Sequence, residues 1–361
     1  MSEYATRLVA TGRAWRTHRA VGVARFVGRR VLALIAQIVA ISIVSFALTQ
    51  IVPADPAAAN LSPEALADPA TVAAFRHKYG LDKPLPVQYL RYMEHLVHGD
   101  LGLSRQTGAP VRRELDAAVP ASFELAGMAI VISIVLGVGL GVLSGIRILR
   151  RPFQETLNAS SLVALSIPTF WLALLAYYFF FYKLGIFPGG GRLDPGATPP
   201  PTVTGFYTID ALVAGQWGVF WSALKHLVLP AFVLATSTIG LLMRYTTAAV
   251  REAMSNDYIR SARAKGLSEW TVVFRHVLRP AMLSIITVTG LAFGHLLAGT
   301  VLVESVYVWP GLGQYAYRSA LALDVPAIMA VTIVIACVYV IVNFIVDILY
   351  LVIDPRLRSA S

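Results

Sequence analysis

Six stretches of this chain stay apolar for about the thickness of a lipid bilayer, and that property alone removes most folds open to a polypeptide. They fall at about 31–52, 122–145, 157–182, 224–243, 280–303 and 326–351. The first is roughly 22 residues long, enough at the helical rise to cross a hydrocarbon core of about 30 Å. With 57% hydrophobic and only 14% charged residues, the chain is too apolar for a soluble domain. It therefore reads as an all-α polytopic membrane protein of six transmembrane helices.

The net charge of +10 raises nucleic acid as a partner, but the Lys and Arg residues gather in the first 30 positions and in short loops between apolar runs. Membrane topology explains that distribution, so no nucleic-acid ligand is expected. Residues 1–30 hold Arg7, Arg13, Arg16, Arg19, Arg25, Arg29 and Arg30 against one acid, Glu3. This tail belongs on the cytoplasmic side, either lying on anionic lipid or as a disordered basic tail. The run 31–52 is read as an anchor rather than a cleaved leader, whose apolar core is normally about 7–15 residues. The C-terminal residues 352–361 also fall inside. Cys337 is the single cysteine, which excludes an intrachain disulfide and a thiolate metal cluster.

Between the runs, 53–120 is polar and mixed in charge, with helical patterns over 62–79 and 86–98, and reads as an extracytoplasmic segment. The core 121–351 follows. Gly137, Gly141 and Gly145 recur every four residues with apolar neighbours and no preceding strand, which marks a packing face rather than a nucleotide loop. In the third run, Pro168 removes a backbone hydrogen bond and predicts a kink, where Ser166 or Thr169 is placed to satisfy the freed carbonyl. Residues 183–216, with Gly189-Gly190-Gly191 and Pro199-Pro200-Pro201, read as an outer loop. Trp217 and Trp221 suit the interface before the fourth run, which holds Pro230 and the polar run Thr236-Ser237-Thr238.

The loop 244–279 is the most informative. Its centre is Asp257-Tyr258-Ile259-Arg260-Ser261-Ala262-Arg263-Ala264-Lys265-Gly266-Leu267, a short helix closed by Gly266, with Lys265 at the negative end of the helix dipole. Small Ser261, Ala262 and Ala264 would let a partner approach the backbone, and Arg260, Arg263 and Lys265 would offer it positive charge. The plainer reading is a basic loop obeying the positive-inside rule. Ser268 is an N-cap candidate for a second helical pattern, in which Trp270, Val273, Phe274, Val277 and Leu278 form an apolar face against the membrane helices.

Several sequences resemble one family. Arg260-Ser261-Ala262, Gly266 and His276-Val277-Leu278 are similar in spacing to the EAA loop of ABC importer permeases, with Arg260 in place of its Glu and Arg279 in place of its Pro. The run 257–267 resembles the dipeptide, oligopeptide and nickel branch. So do Gly80-Leu81-Asp82-Lys83-Pro84-Leu85, His98-Gly99-Asp100-Leu101-Gly102, the Glu304-to-Gly313 stretch and Asp354-Pro355-Arg356. The resemblance implies a type I ABC importer permease of the bacterial inner membrane, with both termini inside. It implies a second related permease, two ATPase domains, an extracytoplasmic binding protein and surrounding lipid as partners. It gives 257–267 the ATPase-docking role. Pro168, Thr169, Thr236, Glu304, Trp309, Pro310, Gly311 and Gly313 become candidates for the path or its gate. Short peptides are the first substrate, with nickel chelates, haem or another small solute as alternatives.

No Gly-x-x-x-x-Gly-Lys-Ser/Thr occurs, so ATP and Mg are expected on partner subunits and no cofactor on this chain. A membrane protease would need a zinc spacing or nucleophile signature that the sequence lacks. The serious rival is a proton-coupled secondary transporter using His295, Glu304 or Asp347. Against it, Glu304 and Asp347 sit near predicted helix ends within reach of water, and no paired repeats are evident. A membrane scaffold would have no use for a docking loop.

Overall fold

The computed structural model describes residues 28–47, 61, 63–79, 82–146 and 150–353. The expectations placed on residues 1–27, on the start of the 53–120 segment and on 354–361 lie outside those described residues. The described chain is helical nearly throughout. Helix α1 is Gly28–Ala47, followed by α2 Pro63–Ala67, α3 Pro69–Tyr79 and α4 Leu85–Val97. Helix α5 runs Val111–Gly145 through a π turn at Ile134–Val138. A bent pair, α6 Arg151–Ser166 and α7 Thr169–Lys183, comes next. Then follow α8 Tyr207–Val213, α9 Trp217–Met254, α10 Asp257–Ala264 and α11 Glu269–Thr271. The chain ends with α12 Leu278–Val306, α13 Leu312–Leu321 and α14 Val325–Ile353.

Four helices are long and apolar enough to cross a membrane, and the number reaches six if each of two bent pairs is one span. The third run is thus not one gently kinked helix. Its halves meet at 101° around Pro168, because Ile167 turns extended (ψ 124°) ahead of the proline ring. The Ser166 hydroxyl donates to the Leu162 carbonyl at 2.9 Å, not to the carbonyl that Pro168 leaves free. The inside of the bend is an open apolar groove lined by Leu162, Val163, Ser166, Ile167, Pro168 and Trp171.

Helix boundaries also move outward from the apolar runs. Helix α5 begins at Val111, so the last ten positions of the 53–120 segment belong to a membrane helix. Helix α9, at 38 residues, is roughly 57 Å long, far more than the hydrocarbon core needs. It carries Trp217 and Trp221 in its first turns and passes through Pro230 without ending. Hydropathy marks where lipid can lie, whereas the backbone ladder continues past it, favoured at the C-terminal end of α9 by Ala248, Ala249, Arg251, Glu252, Ala253 and Met254.

Helix α9 is the axis of the bundle. The glycine face of α5 lies against it. A Cβ at Gly141 would meet Thr246 Cβ at 2.7 Å, and one at Gly145 would meet Val250 Cγ1 at 2.5 Å. The Thr247 hydroxyl donates to the Gly141 carbonyl across this contact at 3.1 Å. Gly139 faces open space, so the four-residue repeat alone carries the packing. Helix α1 stands apart, leaning on α4 through a Ser42–Tyr89 hydroxyl pair at 2.8 Å and through Phe46 against Tyr89 and Tyr92.

Candidate functional site

Two regions lie at the ends of helix α12, whose 29 residues put about 43 Å of helix between them. At its start lies the basic loop. Helix α10 opens with Asp257 in its first turn and closes with Arg263 in its last, both favourable to the helix dipole. Lys265 is the C-cap, and Gly266 adopts φ +77°. The Gly266 N–H donates to Arg263 at 2.9 Å and the Leu267 N–H to Ala262 at 3.4 Å, which is the Schellman closure that the glycine predicts. Ser268 caps α11, accepting from the Thr271 N–H at 3.4 Å. A side chain at Gly266 would meet no atom within 4 Å; its requirement for glycine is conformational, not spatial.

Which face of α10 looks outward differs from the sequence reading. Ile259 is 0% and Ala262 6% exposed, sealed against Val250, Ala253, Val272, Val277, Ala281 and Ile285. Ala262 therefore joins the helix to its own chain and is not a surface that a partner could approach. Asp257, Tyr258, Arg260, Ser261, Ala264, Lys265 and Leu267 remain exposed. Arg263 is half engaged already, its guanidinium donating to both carboxylate oxygens of Glu269 at 2.8 and 3.1 Å. The second apolar face is also rotated. A π turn spans Val272–Val277, and the extra residue in that turn brings Val272 inside with Val273 and Val277 while Trp270 and Phe274 face out.

At the other end of α12, Glu304 is fully buried, although it lies near a helix end where the sequence predicts access to water. The chain after α12 folds back over it. The Ser122 hydroxyl and the Gln314 N–H donate to its two oxygens. Ser122 also accepts from the Leu312 N–H at 2.7 Å, and the Trp309 indole donates to the Ala121 carbonyl at 2.9 Å. Gly311 and Gly313 are required by closeness. A Cβ at Gly311 would strike the Glu304 carboxylate and Ser122, and one at Gly313 the Val301 backbone at 2.5 Å. Glu304, Trp309, Gly311 and Gly313 are thus one knot between α5 and α12, with Pro310 exposed on its surface. Pro168, Thr169 and Thr236 take no part in it. Thr236 donates to the Phe232 carbonyl of its own helix at 2.9 Å. Among the rival's residues, His295 is exposed on α12, and the side chain of Asp347 lies outside the described residues.

The knot extends through residues that the sequence reading passed over. Arg192 and Glu124 form an ion pair at 2.5 Å with side chains 6% and 4% exposed. Arg192 also donates to the Gly205 carbonyl, and its guanidinium lies 3.5 Å from the Tyr207 ring centroid. Glu124 accepts from the Thr208 N–H and hydroxyl. Asp210 gathers the N–H groups of Val203, Thr204 and Gly205. Burial pushes its carboxyl up, but these bonds and the Thr204 hydroxyl outweigh burial and hold it below the ordinary value. The available signal was Glu124 itself, an acid inside an apolar run. Val308, just before Trp309, sits at φ +49°, an outlying conformation for a β-branched residue. Among the described residues no group of His, Cys, Asp or Glu is placed to hold a metal.

The chain matches the family described as binding-protein-dependent transport system inner membrane component over residues 137–359, and that family's N-terminal component over 23–111. It is 43% identical over 329 residues to a probable D,D-dipeptide transport system permease protein of Escherichia coli (strain K12), covering 91% of this chain and 96% of that one. A dipeptide transport system permease protein of Alkalihalophilus pseudofirmus is 36% identical over 331 residues, covering 91% and 98%. A di/tripeptide transport system permease protein of Pseudomonas aeruginosa is 38% identical over 333 residues, covering 92% and 98%.

Proposed function

This chain belongs to the family of binding-protein-dependent transport system inner membrane components, and we propose that as a permease component of an ABC importer it forms half of an ATP-driven path for short peptides. A second, related permease completes the path. Two ATPase domains, separate or fused, bind ATP and Mg on the cytoplasmic side, where both termini of this chain also lie, and a binding protein delivers substrate from the opposite side. Peptides rank ahead of nickel chelates or haem because the relatives above are dipeptide and di/tripeptide permeases.

The observation that carries this reading is the two-sidedness of α10. Its exposed face offers Arg260, Ser261, Ala264 and Lys265 to an ATPase groove, while Ile259 and Ala262 are packed into the junction of α9 and α12. A displacement of α10 is passed to both long helices through that seal, since close-packed side chains have no slack to absorb it. The knot at Glu304 couples α12 to α5, so the far end follows. ATP favours one orientation of the path only by the difference in its affinity for the two.

The test is co-purification of the ATPase together with uptake into vesicles. Gly266→Val forces a β-branched residue into positive φ and is expected to abolish both, whereas Gly266→Asn, which accepts that conformation more readily, retains most of each. Uptake driven by a proton gradient without ATP would instead establish a secondary transporter.

A further inference from the structure

The arm Glu269–Met282 leaves the α12 span at 52° and so runs obliquely instead of continuing the span axis. Trp270 is 74% and Phe274 59% exposed, and their rings stack at 5.2 Å and 14°. Four-residue steps continue this stripe through partly buried Leu278 to Met282, 40% exposed at the end of the arm, where the span begins. In an ordinary α-helix such steps drift around the axis by roughly 40° each. The wider π turn at Val272–Val277 takes up part of that drift and keeps the stripe on one side.

Arg275 and Arg279 are exposed on the same arm. Its acid, Glu269, is occupied by Arg263. We propose that this arm is a membrane-surface anchor, with Trp270 and Phe274 seated in the headgroup layer of an anionic leaflet and Arg275 and Arg279 on its phosphates. Aromatic rings with an apolar body prefer that layer, and arginines close to it are attracted by its negative surface potential. Lipid is favoured over the ATPase as occupant because the stripe runs up to Met282, where the arm joins a helix that, paired with it, is apolar enough to cross a membrane. The anchor fixes the base from which α10 projects. It rests on the reading of this loop as the cytoplasmic, ATPase-facing end.

The full chain, reconstituted in mixed phosphatidylcholine and phosphatidylglycerol vesicles with one lipid brominated, tests it. The emission lost in Trp270→Phe isolates Trp270. That component is expected to be quenched more by brominated phosphatidylglycerol than by brominated phosphatidylcholine at equal mole fraction. The preference should vanish in an Arg275→Gln/Arg279→Gln variant, and addition of the ATPase should leave the quenching unchanged. No quenching, equal quenching in the wild type, or a preference that survives the double variant would overturn the anchor. Loss of quenching when the ATPase is added would overturn it too, and assign the stripe to that partner. If Gly266→Val keeps its ATPase while Trp270 remains quenched, the docking reading fails and the anchor stands.

Discussion

Two ion pairs at opposite ends of the molecule have the same chemistry and different weight. Arg263 and Glu269, beside α10, meet with both carboxylate oxygens, yet their side chains are 41% and 60% exposed. Water screens such a pair to about 0–1 kcal/mol. Arg192 and Glu124, beyond the far end of α12, are sealed, and removing one partner of such a pair costs about 3–5 kcal/mol because the other charge is left buried. The α10 end therefore owes its shape to local backbone chemistry, a glycine closure and a serine cap, with one apolar face pinned beneath it. The far end owes its shape to long-range polar bonds. The α10 end keeps Arg260, Ser261 and Lys265 exposed to water, whereas the charges of the far end face each other out of its reach.

This contrast breaks most clearly at Glu124. Glu124→Ala should lower the stability of the purified chain by about 3–5 kcal/mol in thermal or denaturant unfolding, since Arg192 then stays buried without its partner. A loss below 1 kcal/mol would put the two ends on the same footing. Next is Gly311→Ala, whose methyl must push into the Glu304 carboxylate and Ser122; overpacking of this kind costs about 1–3 kcal/mol. Unchanged unfolding would show that the knot is loose. Val308→Gly sharpens the comparison from the other direction. It removes the strain of φ +49°, partly offset by the freedom glycine gains when unfolded, for a net rise of about 1 kcal/mol in the same assay. A fall would mean that the Val308 corner is not strained. The smallest effect is expected for Arg263→Gln, which should change stability by less than about 1 kcal/mol.

What could be read from the sequence follows the same division. Gly266, Ser268 and the Gly137, Gly141 and Gly145 face were legible because each is a local rule: a positive φ, an N-cap, a helical repeat. The family signature singled out Glu304 to Gly313 as candidates for the path or its gate, but neither their burial in a knot nor the partner Ser122, 182 residues away, could be read from it. Arg192 and Glu124 are 68 residues apart, and nothing local couples them. Trp270 and Phe274 were misplaced because an α-helical period was applied across a π turn. Ala262 was misplaced for a different reason, since a small residue suits close approach from either side and only the packing tells which.

The central claim is that α10 presents its Arg260, Ser261 and Lys265 face to the ATPase while its Ile259 and Ala262 face belongs to this chain. Single cysteines at Ser261→Cys, Lys265→Cys and Ala262→Cys, in the assembled importer treated with a short thiol crosslinker and an ATPase bearing a cysteine in its membrane-facing groove, measure it directly. Crosslinks from positions 261 and 265 but not 262 are the predicted result, and a crosslink from 262 alone, or from none of the three, would contradict it.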